Sequence, residues 1–132
     1  MIASTVWVAL GGALGSVARF WLAELLAGLA TGFPWATVLA NLSGSFLIGL
    51  VATLTGPEGR LLVAPEIRQL VIVGICGGYT TFSSFSLQTL TLAQSGQWLL
   101  AAANVMLSVL GCLVAVWLGH VAALALDRAL GG

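Results

Sequence analysis

Charge is scarce in this sequence. Only 6% of its 132 residues are charged, whereas 60% are hydrophobic. A soluble domain carries about a quarter charged residues, so this chain has too few to cover a water-facing surface. It contains no lysine, its net charge is zero, and it has no basic cluster, which argues against nucleic acid as a partner. The composition predicts an integral membrane protein.

The sequence also has only two cysteines, and it lacks the features of a cleaved signal peptide. Cys76 and Cys112 both lie inside apolar runs, which makes a disulfide framework or a thiol metal site an unfavoured interpretation. The N-terminus lacks the basic region of a signal peptide, and the apolar stretch 6–29 is longer than a typical signal core. This stretch is therefore predicted to be a retained membrane span.

The few charges divide the chain into long apolar segments. They are Arg19, Glu24, Glu58, Arg60, Glu66, Arg68, Asp127 and Arg128. A helix needs roughly 20 apolar residues to cross a bilayer, so the pattern predicts an all-α integral membrane protein with four transmembrane helices in a single domain, residues 1–132. The predicted spans are Trp7–Leu29, Trp35–Leu54, Ile67–Leu92 and Trp98–Leu126. The length and continuity of these runs exclude sheet.

Four spans place the N-terminus, the central loop 56–69 and the C-terminus on one side of the membrane. That side holds Arg60, Arg68 and Arg128, and the opposite loops hold neither lysine nor arginine. The positive-inside rule therefore favours a cytoplasmic N-terminus.

Small residues recur four positions apart in the spans. The pairs are Gly11/Gly15, Ser45/Gly49, Gly74/Gly78 and Ala115/Gly119. Such pairs let helix backbones approach closely in lipid. They are interpreted either as packing within one subunit or as tight packing that includes an oligomer interface.

The segment 74–88, GICGGYTTFSSFSLQ, lies in the middle of the third span. Gly77 and Gly78 weaken the helix there, and five hydroxyl residues follow closely. The pattern predicts a third helix broken near its middle. Freed carbonyls of broken membrane helices coordinate cations. Alternatively, the glycine pair serves close packing and the serines bond back to their own helix.

Other uncharged polar and aromatic residues offer donors for an ion. Phe82 and Phe85 share a helix face, and a ring edge carries partial positive charge. Asn41 is the only amide of span two, and it serves either as a helix–helix contact or as a donor to an ion. Arg19, the only basic residue within a span, either snorkels or attracts anions to a vestibule.

Four motifs together resemble the CrcB/Fluc family of fluoride channels. They are GGALGSVARF (11–20), VLANLSGSFLIGL (38–50), GICGGYTTFSSFS (74–86) and the N-x-x-x-S of Asn104 and Ser108. The resemblance covers nearly the whole chain. It implies a dual-topology, antiparallel homodimer in the bacterial cell membrane. The dimer would have two pores that export fluoride passively, relieving fluoride toxicity, around a central structural Na⁺ that is not transported.

The resemblance also implies residue roles. Backbone carbonyls of Gly77 and Thr80 would hold the Na⁺, and Arg19 would be the vestibule charge. The fluoride pathway would be formed by Asn41, Phe82, Ser83, Ser84, Phe85 and Ser108. The sequence departs from the family at Gln88, where many relatives carry Glu, at Asn104, where some carry Tyr, and at Cys112, where a hydroxyl would extend the polar track.

Three other classes of protein compete with a channel. A proton-coupled multidrug transporter needs a carboxylate deep in a span, and Glu24 is the only candidate. A non-transporting assembly subunit would use the polar stripes for helix contacts. An intramembrane enzyme is disfavoured because the sequence shows no nucleophile–base pair, so we expect no enzymatic activity.

Overall fold

The computed structural model describes residues 2–29, 32–57 and 59–129, and the regular structure in these ranges is helical. The helices are α1 (Ile2–Leu26, followed by a 3₁₀ turn at Ala27–Leu29), α2 (Trp35–Leu54), α3 (65–79), α4 (Phe82–Gln94) and α5 (Trp98–Ala129). Helix α3 has a π-helical middle at Leu70–Cys76. Together α3 and α4 form the third span, Pro65–Gln94, and the described ranges hold four helices long and apolar enough to cross a membrane. The prediction of four spans is confirmed.

The predicted bounds are correct for span two and too short for spans three and four, whereas span one begins earlier than predicted and its α-helix ends at Leu26, before the predicted Leu29. Span one begins at Ile2 instead of Trp7, so Trp7 lies inside a helix and not at its end. The third span runs from Pro65 to Gln94, and α5 continues to Ala129. The helices extend past the apolar core because polar residues near a span end remain helical. Arg128 in the last turn of α5 also complements the helix dipole. Glu58 and the ends of the predicted domain lie outside the described residues.

The helices form two parallel pairs. Gly11 of α1 lies against Gly74, and Gly15, one turn later, lies against Tyr79. Leu42 of α2 lies against Gly111 of α5, and farther along the same helices Thr53 Oγ1 is 2.8 Å from His120 Nδ1. Parallel packing of α1 with α3 and of α2 with α5 puts the start of α1, the 56–64 connection and the end of α5 at one end of the molecule. The predicted common side for these three segments is confirmed.

Glycines make the contacts within each pair. A methyl group on Gly11 would lie 2.8 Å from Gly74 Cα, and one on Gly78 would lie 3.0 Å from Gly12 Cα. On Gly119 it would lie 2.9 Å from Leu50 N. These distances are too short for real carbon contacts, so the backbones touch only because side chains are missing. At least one glycine of each small-residue pair therefore packs helices within one subunit.

Large apolar side chains point mainly outward. The buried hydrophobic residues of the described ranges are mostly small, such as Ala40, Ala101 and Ala123, whereas Leu14, Trp21 and many others are exposed. Helices in lipid gain nothing by hiding leucine from leucine-like tails. This distribution suits a bundle whose outer surface contacts acyl chains.

The glycine contacts predict a position-specific loss of stability. In Gly15→Ala the new methyl group would meet Ile75 O and Tyr79 N, whereas in Gly12→Ala it meets nothing within 4 Å. We expect Gly15→Ala to lower the free energy of unfolding by about 1–3 kcal/mol and Gly12→Ala to change it by about 0.5 kcal/mol or less. Denaturant unfolding of both variants in detergent measures the difference. Equal stability of the two would contradict the α1–α3 contact.

Candidate ion site at the break in the third span

The third span is interrupted at two threonines. Thr80 (φ −82°, ψ 158°) and Thr81 (φ −153°, ψ 115°) are extended, between α3 and α4. The predicted break near the middle of the third span is confirmed, and Gly77 and Gly78, expected to weaken the helix, are still helical. Gly78 is needed for the contact with Gly12 of α1. The β-branched threonines, which favour extended backbone, adopt the non-helical conformation instead.

The side-chain amide of Asn41 binds both backbone groups of Thr81. Asn41 Oδ1 accepts a hydrogen bond from Thr81 N at 2.7 Å, and Asn41 Nδ2 donates to Thr81 O at 3.0 Å. Asn41 is only 9% exposed. A single buried residue of α2 therefore replaces two helical hydrogen bonds that the break removes.

The side chain of Thr81 begins α4. Its Oγ1 accepts from Ser84 N at 3.1 Å, which is N-capping geometry. The same hydroxyl donates to Ser84 Oγ at 3.1 Å and lies 3.2 Å from Ser83 Oγ. The hydroxyls of Ser83 and Ser84 are therefore grouped around the start of α4. Sequence analysis gave Thr81 no role, although the T-x-x-S pattern at 81–84 is an N-cap signal.

Several carbonyl groups at the end of α3 keep free acceptor capacity. Cys76 O accepts from Thr80 N and Thr80 Oγ1, and Gly78 O accepts from Ser16 Oγ and Arg19 Nε. Apart from bonds within the helices, no described donor reaches the carbonyl oxygens of Gly77, Tyr79 and Thr80, and the Thr81 N–H is bound by Asn41. Hard cations prefer oxygen ligands of this kind. The two carbonyls predicted to bind Na⁺ therefore fit the ion chemically.

A groove of about 480 Å³ joins most of the predicted site residues. Its lining includes Asn41, Gly77, Thr80, Phe82, Phe85 and Ser108, together with Cys76 and Cys112. The lining residues come from α2, from both sides of the break and from α5. None of the described residues that line it is charged.

The two phenylalanines of the groove differ in burial. Their ring centroids are 5.1 Å apart with an interplanar angle of 54°, so the predicted shared face is confirmed. Phe85 is 7% exposed, whereas Phe82 is 76% exposed. The fold therefore holds one ring within the subunit and presents the other outward.

A second depression, of about 370 Å³, contains Arg19. It is also lined by Thr37, Ser84 and Gln88, and Thr81 lines both depressions. Arg19 Nε donates to Gly78 O at 3.3 Å, which ties this side chain to the end of α3. Ser84 is thus grouped with Arg19 and not with Ser108. Ser83 is exposed and lines neither depression.

Two further polar residues have roles that spacing did not reveal. Asn104 is fully buried and donates from Nδ2 to Thr89 Oγ1 at 2.8 Å, so it joins α5 to α4. Gln88 lines the Arg19 depression with an Oε1 atom that is buried and has no hydrogen-bond partner among the described residues. Glu24 is exposed and lines neither depression.

A bundle with four helices able to span a membrane, a broken third span and an uncharged, mostly apolar groove is that of a multi-pass membrane protein. The chain belongs to the CrcB family: its residues 6–120 match the family described as "CrcB-like protein, Camphor Resistance (CrcB)". The resemblance found in the motifs is confirmed.

Curated relatives share most of their length with this chain. It is 60% identical over 124 residues to the fluoride-specific ion channel FluC of Rhodospirillum rubrum, and this alignment covers 93% of this chain and 96% of the relative. It is 54% identical over 124 residues to the protein of the same name from Methylocella silvestris, covering 93% and 95%. For that of Opitutus terrae the identity is 56% over 123 residues, covering 92% and 93%. These relatives are named as ion channels, in agreement with the prediction that the chain is not an enzyme.

Proposed function

We propose that this protein is a fluoride-selective channel that lets fluoride leave the cell passively and so relieves fluoride toxicity. The observation that carries the proposal is the groove in which Asn41, Phe82, Phe85 and Ser108 meet beside the helix break. The names of the relatives, which are fluoride-specific ion channels, support the same ion.

The chemistry of the groove suits a small, strongly hydrated anion. Neutral donors can replace the water lost by fluoride, whereas a lysine or arginine in the narrow part would hold it too tightly to conduct. Asn41 Nδ2 has two hydrogens and donates one to Thr81 O, so the other can donate to an anion. Ser108 supplies a hydroxyl, and the ring edges of Phe82 and Phe85 supply partial positive charge.

The Arg19 depression forms the entrance to this path. Its guanidinium attracts anions without lying in the groove, and Ser84 adds a hydroxyl beside it. Thr81 borders both depressions, so an anion passes this residue and the neighbouring Ser83 hydroxyl on its way to the phenylalanines. The charge that attracts the anion and the narrow part through which the anion passes would then lie in different depressions.

The groove is open on one side of the subunit, where a second copy would cover it. Phe82 lines this groove and is 76% exposed, so its ring is left on the open side of the subunit. An antiparallel homodimer, related by a two-fold axis, would place this ring against its partner and complete two equivalent pores. Dual topology requires only a weak charge bias, and although the chain has only four arginines, the count of three on one side and none on the other is a departure from that requirement.

The free carbonyls of the break would hold a structural Na⁺ at the centre of this dimer. Gly77 and Thr80 contribute one oxygen each, and two-fold symmetry doubles the set around one point. Gly77 is exposed on the subunit surface, as a site shared between two copies requires. The Na⁺ would join the subunits and is not transported.

Fluoride efflux from liposomes that contain the purified protein tests the function. We expect rapid fluoride loss, read with a fluoride electrode, and no chloride loss in a parallel assay. Phe82→Ile and Asn41→Asp should lower fluoride flux by roughly ten-fold or more, about 1.4 kcal/mol in the barrier. Their mass in detergent should stay that of the wild type.

Two control variants separate the channel from its rivals. Phe33→Ile changes a ring that stacks on Trp35 outside the groove, and Glu24→Gln removes the carboxylate that a proton-coupled transporter would need. Both should conduct like the wild type. Normal flux in Phe82→Ile and Asn41→Asp would contradict the residue roles, and loss of transport in Glu24→Gln would favour the drug transporter.

Cysteine labelling in intact cells tests the antiparallel dimer. Leu62, 97% exposed, lies near the end of α2, and Ser95 lies in the turn at the opposite end of the bundle. With dual topology, a membrane-impermeant maleimide should label about half of Leu62→Cys and about half of Ser95→Cys, and all of both after permeabilisation. Complete labelling of one site and none of the other would show a single orientation and exclude an antiparallel homodimer.

Thermal unfolding tests the Na⁺ site. Because Na⁺ would bind only the folded dimer, the unfolding temperature in detergent should rise with NaCl when choline chloride keeps the ionic strength constant. The midpoint of this rise reports the apparent Na⁺ affinity. An unfolding temperature that is the same in both salts would contradict the site.

A further inference from the structure

The hydrogen bond between Asn41 and the Thr81 amide has a consequence four residues earlier in the chain. In an uninterrupted α-helix, the N–H of Thr81 would donate to the carbonyl of Gly77. Asn41 Oδ1 takes this donor instead, at 2.7 Å. The Gly77 carbonyl is therefore left without the donor that an uninterrupted α-helix would give it.

The same hydrogen bond sets the direction of a second carbonyl. Thr80 C=O and Thr81 N–H belong to one planar peptide unit, in which the two groups point in opposite directions. Asn41 holds the N–H toward α2. Within the peptide plane, the Thr80 oxygen must then point in the opposite direction, away from the Asn41 amide.

The second hydrogen bond of the amide keeps this peptide from rotating. Asn41 Nδ2 donates to Thr81 O at 3.0 Å, so Thr81 is held on both sides by one rigid, planar group. Asn41 is itself buried, and its neighbours Ala40 and Val38 are 0% and 1% exposed. The close packing of α2 therefore limits the movement of the amide.

We propose that Asn41 is a positioning residue for the cation site, in addition to being a donor in the anion path. It acts through Gly77, whose carbonyl it releases, and through Thr80, whose carbonyl it orients. The inference rests on the proposed function, because it concerns the Na⁺ that this function includes. One amide then couples the geometry of the cation site to that of the fluoride path.

Three variants separate positioning from general stabilisation. Asn41→Ala removes both hydrogen bonds to Thr81. Asn41→Asp keeps an oxygen that accepts from Thr81 N–H but removes the donor. Ser43→Ala removes a different contact between α2 and α3, the 3.0 Å hydrogen bond of Ser43 Oγ with Tyr79 Oη, and leaves the Gly77 and Thr80 carbonyls untouched.

The full-length protein is unfolded by heating in detergent at increasing NaCl, with choline chloride keeping the ionic strength constant. The measured quantity is the NaCl concentration that gives half of the rise in unfolding temperature. Asn41→Ala should raise this concentration about 10–100-fold, as losses of supporting groups around a metal site do. Ser43→Ala should remain close to the wild-type value, and Asn41→Asp, which keeps the acceptor but loses the donor to Thr81 O, should raise the midpoint by less than Asn41→Ala does. Fluoride efflux of the same samples should be crippled in Asn41→Asp, so Na⁺ binding and conduction separate in one variant.

An unchanged Na⁺ midpoint in Asn41→Ala would overturn the positioning role. A loss of Na⁺ binding in Asn41→Asp as large as in Asn41→Ala would overturn it too, because the acceptor oxygen would not be what matters. If Asn41→Ala does not fold, Asn41→Asp and Ser43→Ala decide the question. A wild-type protein that conducts fluoride but shows no response to Na⁺ would remove the cation site and this role with it, while the channel function would stand.

Discussion

The hydrogen-bonding requirement of the broken third span governs the rest of the structure. Unpaired backbone groups in a bilayer cost several kcal/mol each, so a break must be surrounded by partners. Asn41 supplies them from α2, the Thr81 hydroxyl supplies one for α4, and Arg19 and Ser16 reach Gly78 O from α1. Spans one and two therefore converge on the break in span three. The backbone carbonyl oxygens at the break that keep acceptor capacity are the ones proposed to bind an ion.

Convergence of this kind requires helices that touch backbone to backbone. Gly44 allows the Thr80 side chain to approach α2 less than one turn from Asn41, and Gly15 and Gly78 bring α1 onto α3. Large side chains at these positions would push α1 and α2 away from the break and out of hydrogen-bonding range. The glycines therefore help to position the break through the absence of a side chain, and the large apolar residues are left for the outer surface of the bundle.

Charge is placed beside the path and not in it. Arg19 is the basic residue nearest the break, and a backbone carbonyl holds it in a depression that is separate from the groove of Phe82 and Phe85. An anion can be drawn toward the protein by a full charge and then meet only amide, hydroxyl and ring-edge groups, which bind it more weakly. Asn41 belongs to this neutral set and also holds the break, so the proposed anion path and the proposed cation site would share one side chain.

Hydropathy and local pattern alone determined the number of spans, both ends of α2, the shared face of Phe82 and Phe85, and the presence of a break in the third span. These depend on residues close together in the chain. The tertiary structure decided where the helix breaks, because the break lies where freed backbone groups find partners, and Asn41 is 40 residues from Thr81 in sequence. It likewise decided that Ser84 accompanies Arg19 while Ser108 accompanies the phenylalanines, and that the small-residue pairs pack within one subunit. Local propensity tells where a helix is weak, but only the neighbouring helices determine which weak point can open in lipid.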